Sequence, residues 1–332
     1  MRQIILILIY IVIIIFRISG QTIYESVSVN TLNGLSQNDV STILQDSKGF
    51  MWIGTNDGLN KYDGYSFTHF DVSNTNNIFS ASIIGALVED INQNIWIGTG
   101  KEGLYCFQPK NETFQTILDE RFTGGISKLS VDVNNKLWIV SDIGLLRMNL
   151  PDQPKKNQFE LIYSNRSSKS KNVIKVVHCE DVSYFITSNE LYYITPNSLK
   201  PTSLSIPILT TATIIDIAVY QNKVIVIDSN GDVFWGNNRT AFTKLLNFRA
   251  SRILLTKDNR LFFANSSGIY ESSIIKNQIT VPTLLCELNN IWFGASRYGI
   301  SIIYPKTKKF RHYKTNKSVS YTHLTLPTKR IV

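Results

Sequence analysis

An internal repeat is the feature that most restricts the fold of this chain. The residues Trp52-Ile53-Gly54-Thr55 recur as Trp96-Ile97-Gly98-Thr99, and both copies follow an apolar stretch and a turn rich in Asp, Asn and Gly. A third copy contains Trp138, weaker copies centre on positions 185, 225 and 262, and a last copy centres on position 292, which makes seven units spaced 30 to 47 residues apart. Repeats of this length are typical of proteins in which each unit packs only on its neighbours.

The first unit shows how a repeat is built. Apolar residues at 40–44 predict one strand, residues 51–55 and 59–62 predict two more, and alternation at 66–70 predicts a fourth. Residues 21–320 carry no sustained 3.6-residue period, so we expect almost no helix. The expected fold class is therefore all-β. Four short strands cannot bury both faces of one sheet, so neighbouring sheets must pack face to face around a ring. The prediction is a seven-bladed β-propeller over residues 21–317, with four-stranded antiparallel blades.

Two further features of the repeat bear on this ring. The apolar anchors are expected to fill the space between blades rather than to serve as sugar platforms, and they include Trp52, Trp96, Trp138 and Trp292. Residues 24–29 alternate like an outer strand before the first unit. We predict that they pair with residues 300–304 of the seventh unit, so that an N-terminal strand closes the ring.

The two ends of the chain differ from the repeats. Arg2, an apolar run from Ile4 to Phe16, and the small residues Ser19 and Gly20 follow the order of a secretory signal, so we predict a signal peptide at 1–20. The run is short for a membrane span, which needs about 20 residues; an uncleaved anchor is the alternative. Residues 318–332 lack the repeat pattern and resemble translated vector sequence, so we expect the natural protein to continue beyond Ser320.

Residues 34–40 and 46–63 resemble the two-component regulator propeller repeat almost position by position. That repeat has Asp-x-x-Gly, then Trp-Ile-Gly-Thr, and then Gly-Leu-Asn-x-Tyr-Asp, as this chain does from Asp46 to Asp63. The second and third units match well, whereas the fourth to sixth match only in hydrophobic pattern. The resemblance extends over about residues 23 to 317.

This resemblance implies a periplasmic sensor propeller from a Bacteroidetes-type hybrid two-component system. In that family a second propeller, a β-sandwich, a membrane span, a histidine kinase and a response regulator follow, so these domains of the natural chain are the expected partners, with a homodimer as another. The implied ligand is a glycan-derived oligosaccharide, and the implied output is transcription of glycan-degradation genes. The full-length protein would then be anchored in the inner membrane.

The remaining sequence features argue against catalysis, metal binding and nucleic-acid binding. The four histidines are scattered, no phosphate-binding loop is present, and the net charge of +9 forms no basic stripe. We therefore expect no enzyme activity in this chain, no cofactor, no metal and no nucleic acid. The turn at 46–49 has one residue too many for a sialidase Asp-box and is interpreted as a strand connection. A secreted propeller glycan lyase or hydrolase, or a protein-interaction propeller, is the alternative.

Candidate ligand-binding residues follow from the geometry of a propeller. Turns between second and third strands share one face with the segments that lead into each blade. Oligosaccharide sites combine hydrogen-bonding and aromatic side chains in concave surfaces. The candidates in these turns are Asn56, Asp57, Lys101, Glu102, Asp142, Arg297 and Tyr298. Asn56-Asp57-Gly58 is equally a good tight-turn sequence with no other role.

Overall fold

The structure is a computed structural model, and it describes most of the repeat region. The described residues are 24–71, 83–117, 124–150, 159–165, 172–196, 198, 200–206, 212–237, 240–255, 260–265, 268–272, 274–275, 278–279, 283–284, 292–296 and 299–305. The predicted signal peptide (1–20) and the predicted tail (318–332) lie outside the described residues.

Six four-stranded antiparallel sheets, here called blades 1 to 6, make up most of the fold. Strand β1 (Tyr24–Val29) and a 3-10 helix (Thr31–Asn33) precede them. Blade 1 contains β2 (Val40–Gln45), β3 (Met51–Thr55), β4 (Leu59–Tyr62) and β5 (Phe67–Phe70). Blade 2 contains β6 (Ile84–Glu89), β7 (Ile95–Thr99), β8 (Leu104–Gln108) and β9 (Thr113–Thr116). Blade 3 contains β10 (Ile126–Val131), β11 (Lys136–Ser141), β12 (Gly144–Asn149) and β13 (Glu160–Ser164).

The later blades follow the same plan. Blade 4 contains β14 (Val173–Cys179), β15 (Val182–Thr187), β16 (Leu191–Ile194) and β17 (Thr202–Leu204). Blade 5 contains β18 (Ile214–Tyr220), β19 (Lys223–Asp228), β20 (Asp232–Asn237) and β21 (Thr240–Arg249). Blade 6 contains β22 (Arg252–Leu255), β23 (Leu261–Asn265), β24 (Gly268–Ser272) and β27 (Thr283–Leu284), with the hairpin of β25 (Ile274–Ile275) and β26 (Gln278–Ile279) inserted before its last strand.

The blades are arranged around an axis lined by their first strands. Within each blade the strands pair in sequence order, and the first strands of blades 1 to 6 lie against one another in succession. The free edge of each first strand therefore faces the axis, and each fourth strand is outermost. The predicted all-β propeller fold is confirmed, and the only helical segment within the described ranges is the single 3-10 turn.

A last sheet brings the two ends of the described chain together. It contains β28 (Trp292–Ser296), β29 (Gly299–Pro305) and β1, in the order β1-β29-β28. Strand β1 pairs antiparallel with β29, so that Val27 lies opposite Ile302, and β28 lies against β2 of blade 1. The count of seven blades and a closed ring remain predictions.

The hydrophobic core consists of layers between neighbouring blades. Trp52 and Trp96 are 0% exposed and Trp138 is 1% exposed. The side chain of Trp52 packs on residues of blade 2 such as Ile84 and Phe107, and the other two tryptophans pack in the same way on blades 3 and 4. A fully buried aromatic side chain of this size contributes several kcal/mol, on the order of 3 to 5, to stability. These rings are therefore not available to stack on a sugar.

The anchor position predicted for the fourth unit is wrong by one residue. Counted from the register of the first two strands, Tyr184 is the residue equivalent to Trp52, and Phe185 is equivalent to Ile53. Tyr184 packs on blade 5, whereas Phe185 packs on blade 3. Successive residues of a strand face opposite sides of the sheet, so a shift of one residue changes which neighbouring blade the ring contacts.

Candidate functional site

One face of the propeller, here called the upper face, combines two kinds of segment. It contains the turns between second and third strands and the segments that lead into each first strand. Backbone hydrogen bonds connect the two in blades 1, 2, 3 and 5, and one example is the amide of Gly100, which donates to the carbonyl oxygen of Ile83 at 2.9 Å. The equivalent bonds are Asn56 N to Asp39 O, Asp142 N to Gly125 O, and Ser229 N to Thr213 O. In blade 4 the turn residue Ser188 instead accepts, through its carbonyl oxygen, the amide of Ile214 at the start of the first strand of blade 5.

Side chains at the ends of the second strands hold these turns. The hydroxyl groups of Thr55 and Thr99 donate to the carbonyl oxygens of Gly58 and Gly103, each at 3.0 Å. In blade 5 Asp228 takes this position, and its Oδ1 accepts hydrogen bonds from two turn amides. The threonine of the Trp-Ile-Gly-Thr motif is thus a turn-fixing residue, and the sequence analysis did not assign it that role.

Two of the candidate binding residues are occupied in holding the upper face together. The Nδ2 group of Asn56 donates to Oδ2 of Asp39 at 2.7 Å. The Oδ2 atom of Asp142 accepts the amide of Gly125 at 2.9 Å, and Asn165 donates to the carbonyl oxygen of Asp142 at 3.1 Å. These contacts give both residues a structural role, which leaves their side chains less free to bind a ligand.

Two other candidates keep functional groups available, and a third has a buried one. Asp57 and Lys101 are exposed, and their side chains have no hydrogen-bond partner within the part of the chain that the structure describes. Glu102 is half-buried, and its Oε2 atom is inaccessible and lacks a hydrogen-bond partner. A carboxylate oxygen in this position is costly to leave unpaired. Arg297 and Tyr298 lie outside the described residues.

The opposite face, here called the lower face, is built around a repeated aspartate. Oδ1 of Asp46 accepts the amides of Lys48 and Phe50 at 3.0 and 2.9 Å, and its Oδ2 accepts the indole N–H of Trp52 at 2.8 Å. Asp90 and Asp132 bind their own turns and tryptophans in the same way. The turn at 46–49 is therefore a strand connection.

The two histidines in the described ranges are held in structural contacts. Nδ1 of His69 lies 2.7 Å from Oδ1 of Asn60, which also accepts the amide of Ser36. His178 lies between the hydroxyl groups of Ser130 and Ser183, each at 2.9 Å, and beside the ring of Trp138. Burial lowers the pKa of His178 to about 4, and Asp132 partly opposes that shift. Within the described part of the chain, no group of three or more potential ligands could hold a metal ion.

A group of charged side chains lies on the first strands, just below the upper face. It consists of Lys128, Lys175, Asp216 and Arg252, and is here called the axial cluster. Nζ of Lys175 lies 2.8 Å from Oδ1 of Asp216, and Oδ2 of Asp216 accepts the amide of Ile253 at 2.9 Å. One buried carboxylate thus connects the first strands of blades 4, 5 and 6. The sequence analysis missed this cluster, and the signal that could have found it is a charged residue at the same place in consecutive repeats.

The comparisons with known proteins agree with this fold. The family model of the two component regulator propeller matches residues 34–57, which run from the segment before β2 to the upper turn of blade 1. A 40-residue stretch, 12% of this chain, is 52% identical to histidine kinase P4 from Formosa agariphila and covers 3% of that protein.

Solved structures extend the similarity to most of the chain. The extracellular domain of BT3049 from B. thetaiotaomicron, assigned to a hybrid two component system, superposes with a TM-score of 0.65 at 20% identity, over 85% of this chain and 42% of that one. Virginiamycin B lyase from Staphylococcus aureus superposes with a TM-score of 0.62 at 12% identity, over 85% of this chain and 99% of the lyase. This chain therefore spans less than half the length of that extracellular domain, and it is a β-propeller in which residues 34–57 match the two component regulator propeller repeat.

Proposed function

We propose that this chain is the periplasmic ligand-sensing propeller of a hybrid two-component sensor. The observation that carries the proposal is the two component regulator propeller repeat at residues 34–57, together with the fold shared with the extracellular domain of BT3049. In this proposal residues 1–20 export the chain, and domains farther along the natural protein supply the second propeller, the β-sandwich, the membrane span and the kinase. Within the described ranges, no helix is long and apolar enough to cross a membrane.

The proposed ligand is a glycan-derived oligosaccharide that binds at the upper face. Asp57 and Lys101 support this choice because they bring an exposed carboxylate and an exposed ammonium group to the upper turns of adjacent blades. Glu102, next to Lys101, remains a proposed contact, and its buried Oε2 would have to become accessible to bind. Arg297 and Tyr298 remain proposed contacts, and a homodimer remains a proposed partner. Binding would stabilise one arrangement of the ectodomain and pass that change to the kinase.

A propeller lyase is the second candidate, because virginiamycin B lyase shares the fold over nearly its whole length. Fold similarity alone does not carry activity from one protein to another. Nδ1 of His69 contacts the side chain of Asn60, and both ring nitrogens of His178 contact serine hydroxyl groups. A general base needs a pKa near the working pH, and the pKa of His178 is too low for that role. We therefore favour binding without turnover.

A thermal-shift screen tests the proposal directly. The complete natural ectodomain that contains this chain is screened against glycan oligosaccharides, and the same samples are assayed for released sugar. A ligand at a hundredfold excess over its dissociation constant should raise the free energy of unfolding by about 2.7 kcal/mol. Release of cleaved sugar would support the lyase instead, and the absence of any shift across the panel would contradict the sensor proposal.

A matched pair of lysines locates the binding face. Lys101 lies in an upper turn and Lys48 in a lower turn, and both side chains are exposed. Replacing either by alanine removes the same charge with little effect on folding. We expect Lys101→Ala to reduce the ligand-induced shift and Lys48→Ala to leave it unchanged. The reverse result would assign the ligand to the lower face.

A further inference from the structure

The four residues of the axial cluster occupy the same place in four consecutive repeats. Lys128, Lys175 and Asp216 each follow a β-bulge at the start of a first strand, and each pairs with the residue just before the end of the second strand. Arg252 has the equivalent partner, Ala264, in blade 6. The corresponding residues of blades 1 and 2 are Thr42 and Ala86. The charges are thus confined to blades 3 to 6 and lie at one height along the axis.

This height is close to the upper face. Each first strand begins at the upper face, and the cluster residues are at most two residues beyond its start. Because a strand rises about 3.3 Å per residue, the cluster lies within roughly 7 Å of the upper face. Lys128 and Arg252 are exposed although they belong to first strands, so the side chains of both residues are accessible to a ligand.

The cluster carries more positive than negative charge. Its only carboxylate belongs to Asp216, which is buried and engaged at both oxygens by Lys175 and by the amides of Ile217 and Ile253. Among the described residues, Lys128 and Arg252 form no ion pair. Partial desolvation by the neighbouring strands, together with the charges of Lys175 and Arg252, lowers the pKa of Lys128, and Asp216 only partly offsets this. Positive charges that lie close together beside the low-dielectric protein interior create a strong positive electrostatic potential, which attracts anions.

We infer that the axial cluster binds the carboxylate or sulfate group of an acidic saccharide, with Lys128 and Arg252 as the contacting cations. Guanidinium and ammonium groups together suit an anion that presents several oxygens in a plane or a tetrahedron. Lys175 and Asp216 act as positioning residues, since their ion pair joins blades 4 and 5 and the amide of Ile253 joins blade 6 to the same carboxylate. The inference rests on the proposed sensor function and narrows its ligand to a class that carries negative charge.

The test uses three small probes on the full chain: inorganic sulfate, glucuronate, and glucose as the uncharged counterpart. Binding is measured by isothermal titration calorimetry at low ionic strength. We expect sulfate or glucuronate to bind and glucose not to bind, and the stronger of the two anions identifies the preferred group. Failure of both anions to bind would overturn the inference.

Charge-removing variants assign the binding to the cluster. Lys128→Gln and Arg252→Gln should each weaken anion binding by roughly 10- to 100-fold, the loss of one hydrogen bond to a charged group. Lys110→Gln changes the same charge in an exposed turn between β8 and β9 and should have no effect. Unchanged binding in Lys128→Gln and Arg252→Gln, with melting temperatures preserved, would refute the site. If neutral oligosaccharides still stabilise the ectodomain in that case, the sensor function stands and only the acidic ligand class is wrong.

Discussion

The aspartate that begins each lower turn of blades 1 to 3 accepts hydrogen bonds both from the amides of its own turn and from the indole of the tryptophan on the second strand. Asp90 accepts the amides of Asn92 and Asn94 through Oδ1, and the side chain of Asn94 and the indole of Trp96 through Oδ2. The turn is thereby tied to the aromatic ring that fills the space between blades 2 and 3. A single buried carboxylate sets both the shape of the turn and the orientation of the ring.

We expect Asp90→Ala to lower the free energy of unfolding by about 2 to 4 kcal/mol, because it leaves the buried indole N–H of Trp96 without an acceptor. Urea denaturation of the purified chain measures this. Asp57→Ala is the control, since that carboxylate is exposed and unpartnered, and its effect should stay within about 0.5 kcal/mol. Equal effects of the two substitutions would show that the Asp90 contact contributes nothing specific.

His178 makes the stability of the fold depend on pH. Its pKa is about 4 in the folded chain and its ordinary value is 6.5, so the unfolded chain binds more protons between these values. The contribution of neutral His178 to the free energy of unfolding is therefore fully present above about pH 6.5 and is lost as the pH falls towards 4. The physical cause is burial between Ser130, Ser183 and the ring of Trp138.

We expect the free energy of unfolding to decrease by about 2 kcal/mol between pH 7 and pH 5 through His178 alone. Urea midpoints at the two pH values measure the difference. His178→Asn removes the titrating group and should remove this part of the decrease, even if the variant is less stable at pH 7. An unchanged pH dependence in the variant would mean that other groups cause it.

At the scale of the element, the glycine of the Trp-Ile-Gly-Thr strand sets how closely blades approach. A Cβ atom at Gly98 would lie 2.4 Å from Cγ2 of Ile126, the first residue of the next blade. A Cβ atom at Gly54 would meet Ile84 in the same way, at 2.6 Å. The β-bulge that follows Ile84 or Ile126 bends each first strand at this contact.

We expect Gly98→Ala to destabilise the chain by about 1 to 3 kcal/mol through overpacking against Ile126. Ile126→Ala removes the Cγ2 atom that causes the closest clash, so the double variant should be more stable than the sum of the two single changes predicts. Thermal and urea denaturation of the three variants measure this coupling. Additive effects would show that the two residues do not compete for the same space.

At the scale of the whole molecule, the pairing of β1 with β29 joins segments more than 270 residues apart in the sequence. Residues 300–305 would otherwise present an unpaired strand edge, since β28 occupies only their other side. Exposed edges of this kind recruit further strands and promote aggregation. The N-terminal strand is thus the element on which the integrity of the last sheet depends.

We expect a chain in which a Gly-Ser linker replaces residues 24–29 to melt at a lower temperature and to self-associate. Size-exclusion chromatography with light scattering detects the association. A control chain carries the same linker inserted before Tyr24 and so retains β1. If the replaced chain remains monomeric with an unchanged melting temperature, β1 does not protect β29.

The repeat pattern by itself determined the fold class, the strands of the first unit and the anchors in most blades. Apolar periodicity and turn residues are local signals. Each unit repeats them because each blade packs both faces of its sheet on neighbouring blades in the same way. The pattern failed at Phe185, where the tryptophan is replaced and only the pairing register shows that Tyr184 faces the next blade. Periodicity alone cannot separate two adjacent aromatic residues.

Only the tertiary structure decided which polar residues are free. Asn56 and Asp142 have the same turn context in the sequence as Asp57 and Lys101, yet the first two are bound to segments that arrive from the preceding connection. Likewise, Lys128 and Arg252 are more than 120 residues apart in the sequence, yet the charge of Arg252 acts on Lys128 because successive first strands converge on the axis. Contacts of this kind depend on the positions of neighbouring blades. Those positions are set by many packing contacts between distant residues, so no short segment of the sequence predicts them.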